Sequence, residues 1–184
     1  MRIFESLPIP GAHLVEGTSH PDERGSFGRI FESSFLAELG GSGSLRQANI
    51  SRTTHRGCVR GLHMQRPPRS GFKLVACLRG RIWDVCLDAR ADSTKQGRWE
   101  GRELDGSRPV FMLIPPGCAH GFQALTDDVE MLYLMTEDHD PSAEIRIDCR
   151  DPDLAIAWPL PISRISPADA QAPRFSTLSG PTIP

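Results

Sequence analysis

Gly71-Phe72-Lys73-Leu74-Val75-Ala76-Cys77-Leu78-Arg79-Gly80-Arg81-Ile82-Trp83-Asp84-Val85-Cys86-Leu87-Asp88 places two apolar runs on either side of a tripeptide with glycine at its centre. Phe72–Leu78 and Ile82–Leu87 are rich in strand formers and Arg79-Gly80-Arg81 reads as a turn, so the segment predicts a β-hairpin. Successive side chains of a strand point to opposite faces. In the first run, Phe72, Leu74, Ala76 and Leu78 share one face, and Lys73 shares the other with Val75 and Cys77. In the second, Ile82, Asp84 and Cys86 form a mixed face opposite Trp83, Val85 and Leu87. Two arrangements satisfy this pattern: a barrel with a wet, partly charged interior, or a half-exposed sheet whose charges face solvent.

Outward from this pair the chain repeats the theme. Runs at Val110–Ile114, Gly121–Leu125 and Val129–Met135 are separated by Pro115-Pro116-Gly117 and Thr126-Asp127-Asp128. Short strands at this spacing, punctuated by 17 glycines and 16 prolines, predict an all-β sandwich or barrel. Short helices are expected at Ser34–Leu39 and Pro152–Ile156, neither long enough to define the class.

The 184 residues suffice for one domain, taken as 1–175, followed by a polar, Pro/Gly-rich tail at 176–184 expected to be mobile. Hydrophobic residues make up 39% and charged residues 24%, a globular balance. With 21 Lys+Arg against 23 Asp+Glu, nothing electrostatic points to a nucleic-acid polymer or an anionic membrane as partner. The absence of a leader-like start and of any apolar window of about 18 residues predicts a soluble, cytoplasmic protein. Five cysteines, Cys58, Cys77, Cys86, Cys118 and Cys149, stand singly in apolar surroundings and read as reduced, buried thiols.

Two histidines sit beside glycines, in Arg60-Gly61-Leu62-His63-Met64-Gln65 and Pro116-Gly117-Cys118-Ala119-His120-Gly121. Imidazoles converging inside a barrel suit proton transfer near neutral pH, although a lone histidine is more often structural. The Pro-x-Gly-x-x-His pattern ending at His120 resembles half of the metal-binding cupin signature. Its other half, His-x-His with a later Glu, is missing around His63, and two histidines alone are a poor trap for zinc or iron. No bound metal is therefore expected. Tyr133 is the one tyrosine of the chain, sharing a face with Met131 and Met135. Its phenol is a weak acid suited to protonating a carbanion or enolate, or else a core aromatic with a satisfied hydroxyl.

Together, His63 in its motif, Lys73 in Gly71-Phe72-Lys73-Leu74-Val75, Gly80-Arg81-Ile82-Trp83-Asp84-Val85, the 114–122 segment, Asp151-Pro152-Asp153-Leu154-Ala155-Ile156-Ala157-Trp158-Pro159 and Ser166-Pro167-Ala168-Asp169 resemble the dTDP-4-dehydrorhamnose 3,5-epimerase family. The resemblance implies a cupin-type double-stranded β-helix, or jelly-roll barrel, with short flanking helices, acting without metal or organic cofactor. It implies epimerisation at C3, C5 or both of a dTDP-linked 4-keto-6-deoxyhexose. His63 would be the base, polarised by Asp169, with Tyr133 as the opposing acid and Lys73 stabilising charge on the sugar's C4 oxygen. Arg24, Gln47, Asn49, Arg60 and His120 would hold the nucleotide diphosphate or the sugar. Members are homodimers in which strands of one subunit help complete the other's site.

The chain departs from the family pattern at Arg29, where Glu is common, and in Thr136-Glu137-Asp138-His139-Asp140-Pro141, where many members carry an aromatic pair. The alternatives to an epimerase are a metal-dependent cupin enzyme, a non-catalytic sugar-nucleotide binding cupin and a 3,4-ketoisomerase. The Asp-Pro-Asp and Ser-Pro-Ala-Asp segments speak against the last.

Overall fold

A computed structural model describes residues 1–178. In chain order the elements are β1 (Arg2–Ser6), β2 (His13–Glu16), β3 (Thr18–Asp22), β4 (Gly25–Arg29), α1 (Ser33–Glu38), β5 (Gln47–Thr53), β6 (Val59–Gln65), β7 (Lys73–Arg79), β8 (Arg81–Asp88), β9 (Trp99–Asp105), β10 (Val110–Ile114), β11 (Cys118–Ala124), β12 (Val129–Met135), β13 (Glu144–Arg146), α2 (Pro167–Ala170) and α3 (Phe175–Leu178). Two antiparallel sheets face each other, one in the order β1-β2-β10-β7-β12-β5 and one in the order β13-β6-β11-β8-β9. This is the all-β sandwich or barrel expected from the spacing of the apolar runs, in the jelly-roll form that the resemblance implies. The remaining strands, β3 and β4, form a separate hairpin that is exposed at every residue.

The expected hairpin around Gly80 does not form. Strand β7 pairs with β10 and β12, whereas β8 pairs with β11 and β9. Gly80, at a φ of +80° that side chains rarely adopt, carries the chain around a corner from one sheet to the other. Thr126 receives the Arg81 N–H on its hydroxyl, so the far side of the corner is tied to the β11–β12 turn instead of to β7. Strand identity was readable from composition, but strand pairing was not, because both runs carry two usable faces.

Those two faces explain the sequence pattern. The inward side chains of both sheets form one core, with Val75, Cys77, Met112, Met131 and Tyr133 meeting Ile82, Cys86, Cys118 and Phe122. The outer face of the larger sheet, including Leu74, Ala76, Leu132 and Leu134, is covered by α1 through Leu36 and by Phe31, Phe35 and Phe72. The outer face of the smaller sheet, including Leu62, Met64, Val85 and Leu87, is covered by the C-terminal coil through Leu154, Ile156, Trp158 and Phe175. Both faces of the central strands are thus apolar because both are covered, and each fully buried large side chain contributes about 1.5–3 kcal/mol.

Helix α1 corresponds to the helix expected at Ser34–Leu39, but the helix expected at Pro152–Ile156 is a run of turns. Asp151 caps the Asp153 N–H there, and Ala155 takes a positive φ of 47°, which breaks helical continuation. Of the tail expected from 176 onward, residues 176–178 belong to α3, and residues 179–184 lie outside the described residues. Among the described residues no helix is long and apolar enough to cross a membrane. All five cysteines are free, and four of them are buried.

Candidate active site

The site begins with a bulge in β6. His63 faces His120 across the β6–β11 ladder and Arg60 faces Phe122, so the single residue Gly121 opposes both Gly61 and Leu62. Phe122 points into the core between the sheets. The extra residue therefore turns Arg60 to the same side as His63, which strict alternation would not do. Gly61 makes this possible: a Cβ at its position would lie 2.6 Å from the Gly121 Cα, and its φ is +120°.

His63 Nε2 is 2.7 Å from Asp169 Oδ1. Asp169 arrives from α2, whose first turn is capped by Ser166 accepting the Asp169 N–H. The coil that delivers it is fastened to the barrel. Trp99 donates its indole N–H to Leu154 O at 2.9 Å and Trp158 to Cys149 O at 2.8 Å, while Val59 N–H bonds Arg164 O at 2.9 Å. Burial of Asp169 disfavours its charge, but hydrogen bonds from His63, Arg146 and Ser166 prevail and hold the carboxyl down at about 2. With Nε2–H directed at this carboxylate, the His63 ring keeps Nδ1 as its proton-accepting nitrogen.

Lys73, the first residue of β7, donates from Nζ to the His63 carbonyl at 3.1 Å. Burial pulls its ammonium down to about 8, against the opposing influence of Cys86 and Glu144. A cleft beside it is lined by Gln65, Phe72, Lys73, Cys118, Met135 and Glu137. Contact with Cys118 and burial push the Cys86 thiol well up, which makes it a poor nucleophile.

His120 is buried and its Nε2 lies 2.7 Å from Oδ1 of the fully buried Asp84. Its ring meets Tyr133 edge-on, with centroids 5.9 Å apart and planes at 76°. Tyr133 shares a hydrogen bond with Ser51 at 3.3 Å, and burial pushes its phenol up to about 12. Asn49 is the ladder partner of Tyr133 and reaches Met135 Sδ at 3.6 Å. Arg60 extends from the smaller sheet to the larger one, donating to Thr53 Oγ1 at 2.9 Å and Arg52 O at 3.0 Å.

The barrel thus brings together His63, Asp169, Lys73, His120, Tyr133, Asn49 and Arg60. Gln47 stands at the rim, where its Oε1 accepts the His139 N–H at 2.6 Å. Arg24 is not brought in: it lies at the tip of the β3–β4 hairpin, 85% exposed and paired with Asp22. Arg29 also lies on that hairpin and pairs with Glu32. Among the described residues no three His, Cys, Asp or Glu side chains converge in a way that could hold a metal ion.

Sequence reasoning missed Arg146, which sits 2.6 Å from Asp169 Oδ1 and 3.3 Å from His63 Nε2 and also pairs with Glu144. The alternation of Glu144-Ile145-Arg146 around one apolar residue was the available signal. It missed Ser51 as well, although Gln47, Asn49 and Ser51 fall at period two along one strand.

A family model described as dTDP-4-dehydrorhamnose 3,5-epimerase matches residues 6–177. The chain belongs to the dTDP-4-dehydrorhamnose 3,5-epimerase family. It is 38% identical over 173 residues to the dTDP-4-dehydrorhamnose 3,5-epimerase of Mycobacterium tuberculosis, covering 92% of this chain and 85% of that one. Among solved members of the family, an epimerase of Legionella pneumophila in complex with dTDP-4-keto-L-rhamnose superposes with a TM-score of 0.88 at 35% identity, covering 95% of this chain and 93% of that one. A 3'-monoepimerase of Streptomyces bikiniensis in complex with dTDP-quinovose gives a TM-score of 0.86 at 34% identity, covering 95% and 88%.

Proposed function

We propose that this chain is an isomerase that inverts C3, C5 or both of a dTDP-linked 4-keto-6-deoxyhexose, the double inversion converting dTDP-4-dehydro-6-deoxy-D-glucose into dTDP-4-dehydro-L-rhamnose. The observation that carries this reading is the carboxylate-backed His63 in the same barrel interior as the Lys73 ammonium and the Tyr133 phenol. Family membership and relatives solved with dTDP-sugars support the substrate class.

A 4-keto group acidifies the C–H bonds on either side of it, because the resulting enolate places its charge on oxygen. His63 Nδ1 takes the proton, and Asp169 stabilises the imidazolium that results. The Lys73 ammonium, already stripped of most of its water, stabilises the charge growing on the C4 oxygen. Tyr133 returns a proton to the opposite face, which inverts the centre. A phenol held near 12 stays protonated at rest and is a strong enough acid for a carbanion-like carbon.

The donor set favours a reaction without a metal ion, since among the described residues no third His, Cys, Asp or Glu joins His63 and His120 around a common point. Arg60 and Arg24 suit a diphosphate through paired guanidinium donors. Arg24 stands away from its own barrel, so we assign it to the partner's site in a homodimer, built on the exposed hairpin and its 77% exposed Phe27. Five free thiols suit a reducing compartment, in keeping with a cytoplasmic enzyme.

The test is incubation with dTDP-4-keto-6-deoxyglucose in deuterated water, with deuterium located by NMR. Label at C3, at C5 or at both is the expected result and fixes the regiochemistry. Binding of the nucleotide sugar without any label uptake would overturn the assignment in favour of a binding module.

A further inference from the structure

Asp84 is fully buried in the barrel, and its one hydrogen-bonding partner among the described residues is His120, at 2.7 Å. Its second oxygen, Oδ2, is buried without a partner. A neutral amide could also orient His120 and would likewise leave one polar atom buried without a partner, at a cost of about 1–3 kcal/mol, so what the carboxylate adds is its charge. What lies beyond His120 is Tyr133, packed edge-on against the imidazole.

We propose that Asp84 is a positioning residue for the reaction at Tyr133: through His120 it fixes the ring of the tyrosine, and its own buried charge keeps the phenol in the protonated, donating state. This rests on the epimerase reading for its chemical purpose, although the coupling between the two residues stands independently of it. The groups around the phenol are Ser51 on β5, Arg60 on β6, Asp84 on β8 and His120 on β11. Burial is the largest influence holding the phenol protonated; of the surrounding groups, Ser51 and Arg60 favour the tyrosinate and Asp84 opposes it. Among the described residues neither Lys73 nor any arginine is paired with Asp84, and the one cationic group that can face it is His120 itself.

Tyr133 is the single tyrosine of the chain, which makes the test direct. Protein grown with 3-fluorotyrosine, whose phenol is intrinsically more acidic, carries one fluorine signal, and its ionisation is followed by fluorine NMR. Asp84→Asn is expected to lower the midpoint by about one pH unit, and Asp84→Glu to retain most of the wild-type value. Asp84→Ser replaces the amide variant if that variant does not fold. Equal midpoints in wild-type protein and a folded, uncharged variant would overturn the proposal. Failure of the deuterium-uptake experiment would remove the epimerase reading and leave this titration intact, so the two are separable. Where turnover is present, kcat falls in the uncharged variant while KM holds.

Discussion

His63 Nε2 and Asp169 Oδ1 stand 2.7 Å apart although 106 residues separate them in the chain. The carboxyl of Asp169 is held at about 2, below its ordinary 3.8, so the folded state binds this proton less readily than the unfolded chain. The stabilisation is complete above about pH 4 and is lost as pH falls through 2, with a size on the order of 2 kcal/mol. Urea unfolding from pH 7 down to pH 2 should show this loss, and Asp169→Asn should flatten it. An Asn variant with the acid sensitivity of the wild type would dissociate the pair from stability.

Lys73 gives a second pH dependence, of opposite origin. Its ammonium is held at about 8 instead of 10.5, so its positive charge disappears as pH rises through 8. The pH profile of kcat/KM should fall on the alkaline side near that value. In Lys73→Ala, activity drops about 10²-fold or more, and the limb due to the ammonium vanishes from what remains.

Base and acid should fail differently. His63→Ala leaves circular dichroism unchanged and lowers turnover about 10²–10⁴-fold, with deuterium uptake falling in parallel. Tyr133→Phe still allows abstraction, so substrate recovered from deuterated water carries label while inverted product is reduced by a similar factor. Loss of label in both variants to the same degree would contradict separate roles.

The bulge that sets Arg60 beside His63 depends on Gly61. A methyl there meets the Gly121 Cα at 2.6 Å and the His120 carbonyl at 2.8 Å, at a φ of +120°. Gly61→Ala should destabilise the fold by more than about 2 kcal/mol in chemical denaturation. It should also weaken dTDP binding, because Arg60 loses its direction.

Arg24→Ala is expected to raise KM for the nucleotide sugar about tenfold or more with kcat preserved, as for a diphosphate contact made equally in ground and transition states. Specific activity should decline on dilution if the hairpin serves a second copy, with the loss tracking the dimer fraction in sedimentation. Constant activity across dissociation would place Arg24 outside the site.

Legibility in the sequence followed the physics of each feature. Lys73 and Asp84 stood out because each interrupts an apolar face at period two, but that pattern fitted an inward and a solvent-facing charge equally well. The partners of those charges were not legible, since His120 meeting Asp84 requires knowing that β8 lies against β11, and register is a tertiary property. The Gly80 corner was misread because a turn residue between two strands looks the same whether the strands pair or part. Arg60 sits beside His63 only through a bulge, which defeats any reading by strict alternation. His63, Asp169 and Tyr133 were visible through resemblance, whereas Arg146 lay in an unremarked strand of three residues.

The single-residue corner at Gly80 leaves the barrel floor without slack. Lys73 and Asp84 project inward from the two strands it joins, so one inserted residue would rotate one of these charges to the outer wall. Substitutions at the rim, in the 22–29 hairpin and the 136–141 loop, leave that geometry untouched. The reacting groups sit on a chassis that tolerates trim but not re-threading.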